Sequence, residues 1–204
     1  MFRRARAAAF VLALAAVFAS APAGAQEAAH APVREGREAS GAEEAYAELP
    51  NFHRVNAHLY RGGQPQAGGL AKLASMGVKT ILNLRDDDSR AVEEGREAAA
   101  LGLRYFNIPI SRAGRPSRER IEELMALVDA PENQPVFVHC KRGADRTGAF
   151  VAAYRITHDG WTGERALAEA ESFGMGFWQH GKRDFINDFY RDHAAKQAES
   201  HSSH

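Results

Sequence analysis

The chain has 204 residues, 45% of them hydrophobic, and sets 26 basic side chains against 26 acidic ones. That composition suits one globular domain with extensions, and the zero net charge argues against nonspecific nucleic-acid binding as its task. One cysteine excludes an intramolecular disulfide and a thiolate zinc cluster, and none of the nine histidines falls in a His-Glu-x-x-His spacing, so no metal or cofactor is expected.

Arg3, Arg4 and Arg6 precede an apolar run from Ala7 to Ala19, and Ala23-Gly24-Ala25 offers small residues for cleavage before Gln26. Residues 1–25 therefore read as a secretory signal peptide cut after Ala25, which predicts a periplasmic or secreted mature protein. The run is shorter than the roughly 20 residues of a spanning helix, so no stable membrane insertion is expected after cleavage; an uncleaved anchor is the other reading of the same segment. Residues 26–48 are rich in Ala, Glu and Gly with no sustained apolar face, and read as a flexible linker. A folded domain is expected over 49–195 and a disordered tail over 196–204.

Within the domain, Leu59-Tyr60 reads as a short strand. Leu70, Leu73 and Met76 recur at helical spacing and end at Gly77, a residue suited to a left-handed cap. Val78 to Leu84 is a strong strand. A helix over 90–101 follows, with Glu93, Glu94 and Glu97 on a solvated face and Gly102 as its stop. Leu103 to Ile110 is a further strand. Pro116 and Ser117 then open a helix in which Ile121, Leu124, Met125 and Val128 recur at three and four residues. Val136 to Val138 is a short buried strand, and Thr147 to Val151 has the composition of a helix start. Helices over 163–173 and 182–193 complete the domain, the second carrying Phe185, Phe189 and Tyr190 on an apolar side. Strands alternating with helices predict an α/β fold: a central, mostly parallel sheet flanked by helices, with ligands bound beyond the carboxyl ends of its strands. Trp161, Phe177 and Trp178 are expected in the core or the wall of a pocket.

The segment Pro135-Val136-Phe137-Val138-His139-Cys140-Lys141-Arg142-Gly143-Ala144-Asp145-Arg146-Thr147-Gly148 joins the last predicted strand to a helix N-terminus. Gly143 permits a tight curl, and backbone amides at such a turn, with the positive end of the helix dipole, can surround a phosphate-sized anion. Lys141, Arg142, Gly143 and Ala144 line that loop. The same environment lowers a thiol's pKa from about 8.5 to somewhere around 3.5–7.5 in activated sites, which makes Cys140 a candidate nucleophile. Arg146 closes the loop with a planar guanidinium able to hold two phosphate oxygens at once.

This stretch resembles the signature of the cysteine-dependent protein tyrosine phosphatase superfamily: His139, Cys140, five residues, Arg146, then Thr147 and Gly148. Within it the chain is similar to compact, atypical dual-specificity members of the bacterial and plant/fungal type, a likeness extended by Leu59-Tyr60-Arg61-Gly62-Gly63-Gln64-Pro65 and Val78 to Arg85. The resemblance implies two steps: Cys140 attacks phosphorus while Arg146 and loop amides stabilise the transition state, and water then hydrolyses the phosphocysteine. It further implies that Thr147 bonds the thiolate and helps it leave, and that His139 tunes the cysteine from outside the loop. The partner it implies is a phosphorylated protein, an inositol phosphate or a phospholipid headgroup, and no cofactor.

Relatives of this kind place an Asp on the loop after the strand corresponding to Leu103 to Ile110. Here that loop, Ser111 to Ser117, holds no carboxylate. The proton donor for the leaving group is therefore sought at Asp145, inside the signature, or at Asp86, Asp87 or Asp88; Asp145 is preferred. Arg112 and Arg115, with Lys141 and Arg142, add positive charge suited to a substrate with several phosphates. The rival readings are a phosphate-binding protein without turnover, which the acid-free loop suggests, and a rhodanese-like or arsenate-reducing thiol enzyme.

Overall fold

The computed structural model describes residues 46–202. The expected signal peptide and the linker up to residue 45 lie outside the described residues. Five strands, β1 (His53–Arg54), β2 (Leu59–Gly62), β3 (Thr80–Asn83), β4 (Arg104–Asn107) and β5 (Val136–His139), form one sheet in the order β1-β2-β5-β3-β4. The pairs β2/β5, β5/β3 and β3/β4 are parallel; only β1, which its polar sequence did not announce, runs antiparallel to its neighbour β2. Among the described residues six α-helices surround the sheet: α1 (Gly69–Ser75), α2 (Ser89–Ala100), α3 (Arg118–Asp129), α4 (Asp145–His158), α5 (Gly163–Ser172) and α6 (His180–Ser202). This is the α/β architecture that the alternation of elements predicts.

Register decides where the strands stop. Gly62 pairs with His139, His139 with Asn83, and Asn83 with Asn107, so four strands end level and their next residues open one crevice. β5 lies at the centre of the sheet with every residue buried. Strand alternation then splits its side chains between two layers. Val136 and Val138 join the larger core with Ile121, Leu124, Phe150, Ile186 and Phe189, whereas Phe137 packs with Leu49, Leu70, Leu73, Ile81 and Ala98. His139 follows Phe137 onto that second face, its ring stacked 5.7 Å from the phenyl. α4 is buried from Arg146 through Tyr154, as a helix enclosed on all sides must be, and this fixes the loop before it.

Four expectations need correction. Glu94 is not solvated but 6% exposed, because the α2 face of the sheet is polar at its carboxyl end, where Asn83 and Tyr105 donate to the Glu94 carboxylate. The domain starts before residue 49: Tyr46 packs edge-on against Phe52, and Gln66 N donates to the Glu48 carbonyl. α6 continues to Ser202, through the expected tail, since Ala194, Ala195, Gln197 and Ala198 are strong helix formers. Phe177 and Trp178 are 76% and 57% exposed and so do not belong to the core, whereas Trp161 packs against it as expected, with the guanidinium groups of Arg155 and Arg165 over its ring. No helix among the described residues is long and apolar enough to cross a membrane.

Because Phe150 on α4 is wholly buried where the helical layer meets β5, Phe150→Ala should lower the free energy of unfolding by about 3–5 kcal/mol, measured by denaturant titration.

Candidate active site

Residues 140–144 form the loop between β5 and α4, and its shape is imposed from behind. Gln64 N donates to the Lys141 carbonyl at 3.3 Å, Asn51 Nδ2 to the Arg142 carbonyl at 3.2 Å, and Arg61 Nη2 to the Gly143 carbonyl at 3.0 Å. In a planar trans peptide the N–H points opposite to the C=O. Three carbonyls captured on the outside therefore turn the amides of Arg142, Gly143 and Ala144 inward. Gly143 has φ +74°, and a Cβ there would lie 2.5 Å from the carbonyl carbon of Gly62. Two backbones touch at this point, and glycine is required for both reasons.

The outer donors come from the Leu59 to Pro65 segment and from the turn before it. Arg61 is 1% exposed, with its guanidinium carbon 3.9 Å above the Phe173 ring. Asn51, held at φ +53°, uses the same amide to reach Phe173 O at 3.1 Å. Gly63 N donates to Pro50 O at 2.7 Å. The sequence signal for this support was the Arg61-Gly62-Gly63-Gln64 run, which resemblance alone could mark; two of its residues hold carbonyls of the loop between β5 and α4.

Cys140 is 3% exposed at the floor of a pocket of about 200 Å³. Arg146 and Asp145 from α4 line it, with Lys141 and Arg142 from the loop, Arg112 from the loop after β4, and Gln179. Burial pushes the Cys140 thiol up, but the Thr147 hydroxyl and amide, the Arg146 guanidinium and the Arg142 amide outweigh it and hold the thiol below its ordinary range. The Thr147 hydroxyl is buried with no other hydrogen-bond partner among the described residues, so the sulfur is what it serves. Arg146 is itself anchored, Nη1 donating to Leu84 O at 3.3 Å beyond the end of β3. Ala144, the N-cap of α4, supplies no side-chain bond, which leaves the first amides of the helix available to an anion.

His139 is wholly buried on the other side of the sheet from this pocket. Its Nδ1 lies 3.4 Å from the Cys140 carbonyl oxygen, and its Nε2 3.1 Å from Glu94 Oε1.

The four candidate carboxylates separate. Asp88 caps α2, accepting from Arg90 N at 3.0 Å and Ala91 N at 3.1 Å. Asp86 faces Arg112 at 4.0 Å, both exposed, and Asp87 is exposed in the same turn. Only Asp145 lines the pocket, where Gly176 N donates to Oδ1 at 3.2 Å and Arg142 Nη2 to Oδ2 at 2.5 Å. Arg115 pairs instead with Asp188 on α6 at 2.6 Å and is not part of the pocket lining.

Sequence reading missed Lys182. It is fully buried and donates to Arg112 O at 3.1 Å, Gly114 O at 3.5 Å and Gln179 Oε1 at 3.2 Å, so it fastens the acid-free loop to α6. Burial lowers its pKa, as does the charge of Arg146, against the opposing pull of Asp145 and Cys140. A signal was present: Lys182, Phe185 and Phe189 share one helical face, so the lysine had to enter the interior with the aromatics.

Residues 28–188 match the family described as DSP-PTPase phosphatase fused to NAD+ kinase. The chain belongs to this DSP-PTPase family. It is 34% identical over 126 residues to the dual specificity protein phosphatase TpbA of Pseudomonas aeruginosa, covering 62% of this chain and 56% of that protein. The chain thus spans little more than half the length of that relative. An inositol diphosphatase of Arabidopsis thaliana is 27% identical over 145 residues, 69% of this chain and 70% of its own. Among solved structures, TpbA superposes with a TM-score of 0.57 at 28% identity, over 71% of this chain and 91% of its own, and a further TpbA structure holds pTyr. The catalytic core of the PP-IP phosphatase SIW14 of S. cerevisiae has a TM-score of 0.63 at 22% identity, over 75% of this chain and 94% of its own, a likeness of fold.

Two measurements check the geometry of this DSP-PTPase site. Alkylation of Cys140 by iodoacetamide should be half-maximal below the ordinary thiol midpoint of about 8.5, and Thr147→Val and Arg146→Met should each move that midpoint up by removing support for the thiolate. Gly143→Ala should abolish binding of inorganic phosphate or vanadate, because the new methyl group meets the Gly62 backbone and the loop must open.

Proposed function

We propose that this protein is a phosphatase that hydrolyses phosphate monoesters through a phosphocysteine on Cys140. One observation carries the reading: a thiol held towards its ionised form shares a small pocket with inward-facing amides and an anchored arginine. The thiolate attacks phosphorus as the bond to the leaving oxygen breaks. Arg146 and the amides of Arg142, Gly143 and Ala144 hold the equatorial oxygens, where charge is redistributed in the transition state. Water then attacks phosphorus, the S–P bond breaks, and the Thr147 hydroxyl stabilises the departing thiolate.

Proton transfer is assigned to Asp145, the one candidate carboxylate that lines the pocket. It donates to the leaving oxygen in the first step and accepts from water in the second. Its Oδ2 is engaged by Arg142 and its Oδ1 by Gly176 N, so the side chain must leave one of these partners to reach a leaving oxygen, and the first step should favour good leaving groups, aryl over alkyl.

The surroundings point the same way for substrate. Phe177 and Trp178 form an exposed edge-to-face pair, centroids 5.0 Å apart, on the turn between Gly176, whose amide donates to Asp145, and Gln179, which lines the pocket. Of the cations at the mouth, Arg112 faces Asp86 and Arg142 pairs with Asp145; Lys141 has no carboxylate partner among the described residues. An aromatic rim with one uncommitted cation fits a phosphotyrosine-like substrate on a protein better than an inositol polyphosphate or a phosphoinositide headgroup. The TpbA complex with pTyr supports this order, and the inositol diphosphatase relative keeps the second class in view. On sequence grounds we place the mature protein in the periplasm or outside the cell.

Hydrolysis of an aryl phosphate in the presence of EDTA should persist in the wild type and vanish in Cys140→Ser. Rapid acid quench with ³²P-labelled substrate should trap label on Cys140; phosphate binding without turnover or trapping would instead make the chain a binder. Asp145→Asn should cost about 10²–10⁴ in rate on an alkyl phosphate and less on an aryl one. Equal, intact rates on both would remove Asp145 from the chemistry. A phosphotyrosine peptide should exceed inositol polyphosphates in kcat/KM, and the reverse ranking would overturn the substrate assignment.

A further inference from the structure

Lys182 is wholly buried, yet it has no carboxylate partner among the described residues. Its Nζ donates instead to three neutral oxygens: Arg112 O at 3.1 Å, Gly114 O at 3.5 Å and Gln179 Oε1 at 3.2 Å. An ammonium has three N–H groups and no lone pair, so this set is complete. One buried charge thereby holds two separate segments. Arg112 and Gln179 both line the pocket, and neither belongs to the phosphate loop. The same segments also meet through backbone. A Cβ on Gly181 would lie 2.5 Å from the Gly114 carbonyl carbon, so the start of α6 and the acid-free loop touch with no side chain between them. Arg115, paired with Asp188 at 2.6 Å, fastens the next residue of that loop to the same helix. The loop is a fixed wall.

Gln179 is held at every polar group but one. Its N–H donates to Gly176 O at 3.0 Å, its carbonyl accepts from Lys182 N and Arg183 N, both at 3.0 Å, and its Oε1 accepts from Lys182 Nζ. Because an ammonium only donates, it decides which end of the carboxamide turns towards it. Nε2 is the end left over, and it bonds no group among the described residues. Its place suits in-line transfer. Cys140 lies at the floor of the pocket, and Arg146 with the loop amides surrounds the equatorial oxygens, so the leaving oxygen points away from the sulfur, towards the walls. Of the groups there, Arg112 faces Asp86 at 4.0 Å, and the Asp145 carboxylate is engaged by Arg142 and by Gly176 N. Gln179 Nε2 can donate without giving up a partner.

We propose that Lys182 is a positioning residue for phosphoryl transfer, holding the Gln179 carboxamide so that Nε2 is a fixed hydrogen-bond donor to the leaving oxygen. That bond stabilises the negative charge that grows on the oxygen as the P–O bond breaks. No proton passes through the amide; Asp145 remains its source. A neutral donor held in place beforehand costs no reorganisation when the charge develops. Its use at a leaving oxygen rests on the phosphatase reading; the hold of Lys182 on Gln179 does not.

Binding of vanadate and of inorganic phosphate, which needs no turnover, is compared in wild type, Gln179→Met, Lys182→Met and the double variant. Vanadate joined to a thiolate carries an apical oxygen opposite the sulfur, where the leaving oxygen would stand, whereas phosphate stays tetrahedral. Gln179→Met, which keeps the length of the side chain and removes the donor, should weaken vanadate by about tenfold and phosphate by about twofold or less. Lys182→Met should weaken vanadate at least as much, and Gln179→Met should cost nothing more in that background. In kcat/KM, Gln179→Met should lose about tenfold on phenyl phosphate and only about twofold on dinitrophenyl phosphate, whose leaving group needs little help. Vanadate weakened no more than phosphate in Gln179→Met, the full loss retained in the Lys182→Met background, or equal losses on the two esters would overturn the proposal. If Lys182→Met does not fold, the Gln179→Met measurements decide alone. No turnover in wild type, with the expected loss of vanadate in the variants, would instead sink the phosphatase reading and leave the coupling of Lys182 to Gln179 standing.

Discussion

The contact between two pieces of backbone, Gly143 against Gly62 and Gly63, is the constraint on which the rest of the site depends. Neither a helix dipole nor an arginine can shape a five-residue loop; something must pull its carbonyls outward. The chain leaving β2 does so at van der Waals distance, aided by Asn51 and Arg61. The approach is possible only because no Cβ intervenes on either side. Preorganisation follows, since the amides point inward before any anion arrives and need no reorganisation when charge develops on a phosphoryl group.

The sheet divides the work between its faces. On one face Val136 and Val138 pack into the helical layer that carries α4, so the N-terminus of that helix is fixed relative to β5. The other face becomes polar at the carboxyl ends of the strands, where Asn83, Tyr105 and His139 converge on Glu94. Cys140 leaves the strand between these layers. It receives hydrogen bonds and positive charge on its pocket side, and it is joined through the preceding peptide to a buried polar cluster on the other. A hydrophobic residue in place of Glu94 would leave several polar groups without partners, which would cost more than the carboxylate's own burial.

Much of this was legible in the sequence. Apolar periodicity located four of the five strands and, apart from the far end of α6, the helices to within a few residues, because each buries one face against a layer. The thiol, the guanidinium and the glycine could be read from one short stretch, because strand, turn and helix follow without interruption there. The errors share a cause. Glu94 had helical spacing with Glu93 and Glu97, and spacing identifies a shared face without saying what that face meets. Phe177 and Trp178 are large and apolar, but the turn that carries them leaves them exposed to solvent. Lys182 drew no assignment from the sequence, because two of its acceptors lie some seventy positions away, at Arg112 and Gly114.

By itself the sequence determined the local chemistry: which thiol, which clamp, which amides, and that helices alternate with strands. These are properties of contiguous residues, set by backbone preference and periodicity within one or two turns. Only the tertiary structure decided which groups converge. It brought residues 51, 61 and 64 behind a loop at 141–143, selected Asp145 over Asp86, Asp87 and Asp88 as the pocket carboxylate, and placed a glutamate from α2 beneath the histidine of β5. Those choices depend on strand order and register, and in a sheet where sequence neighbours are separated by crossovers, no local pattern encodes them.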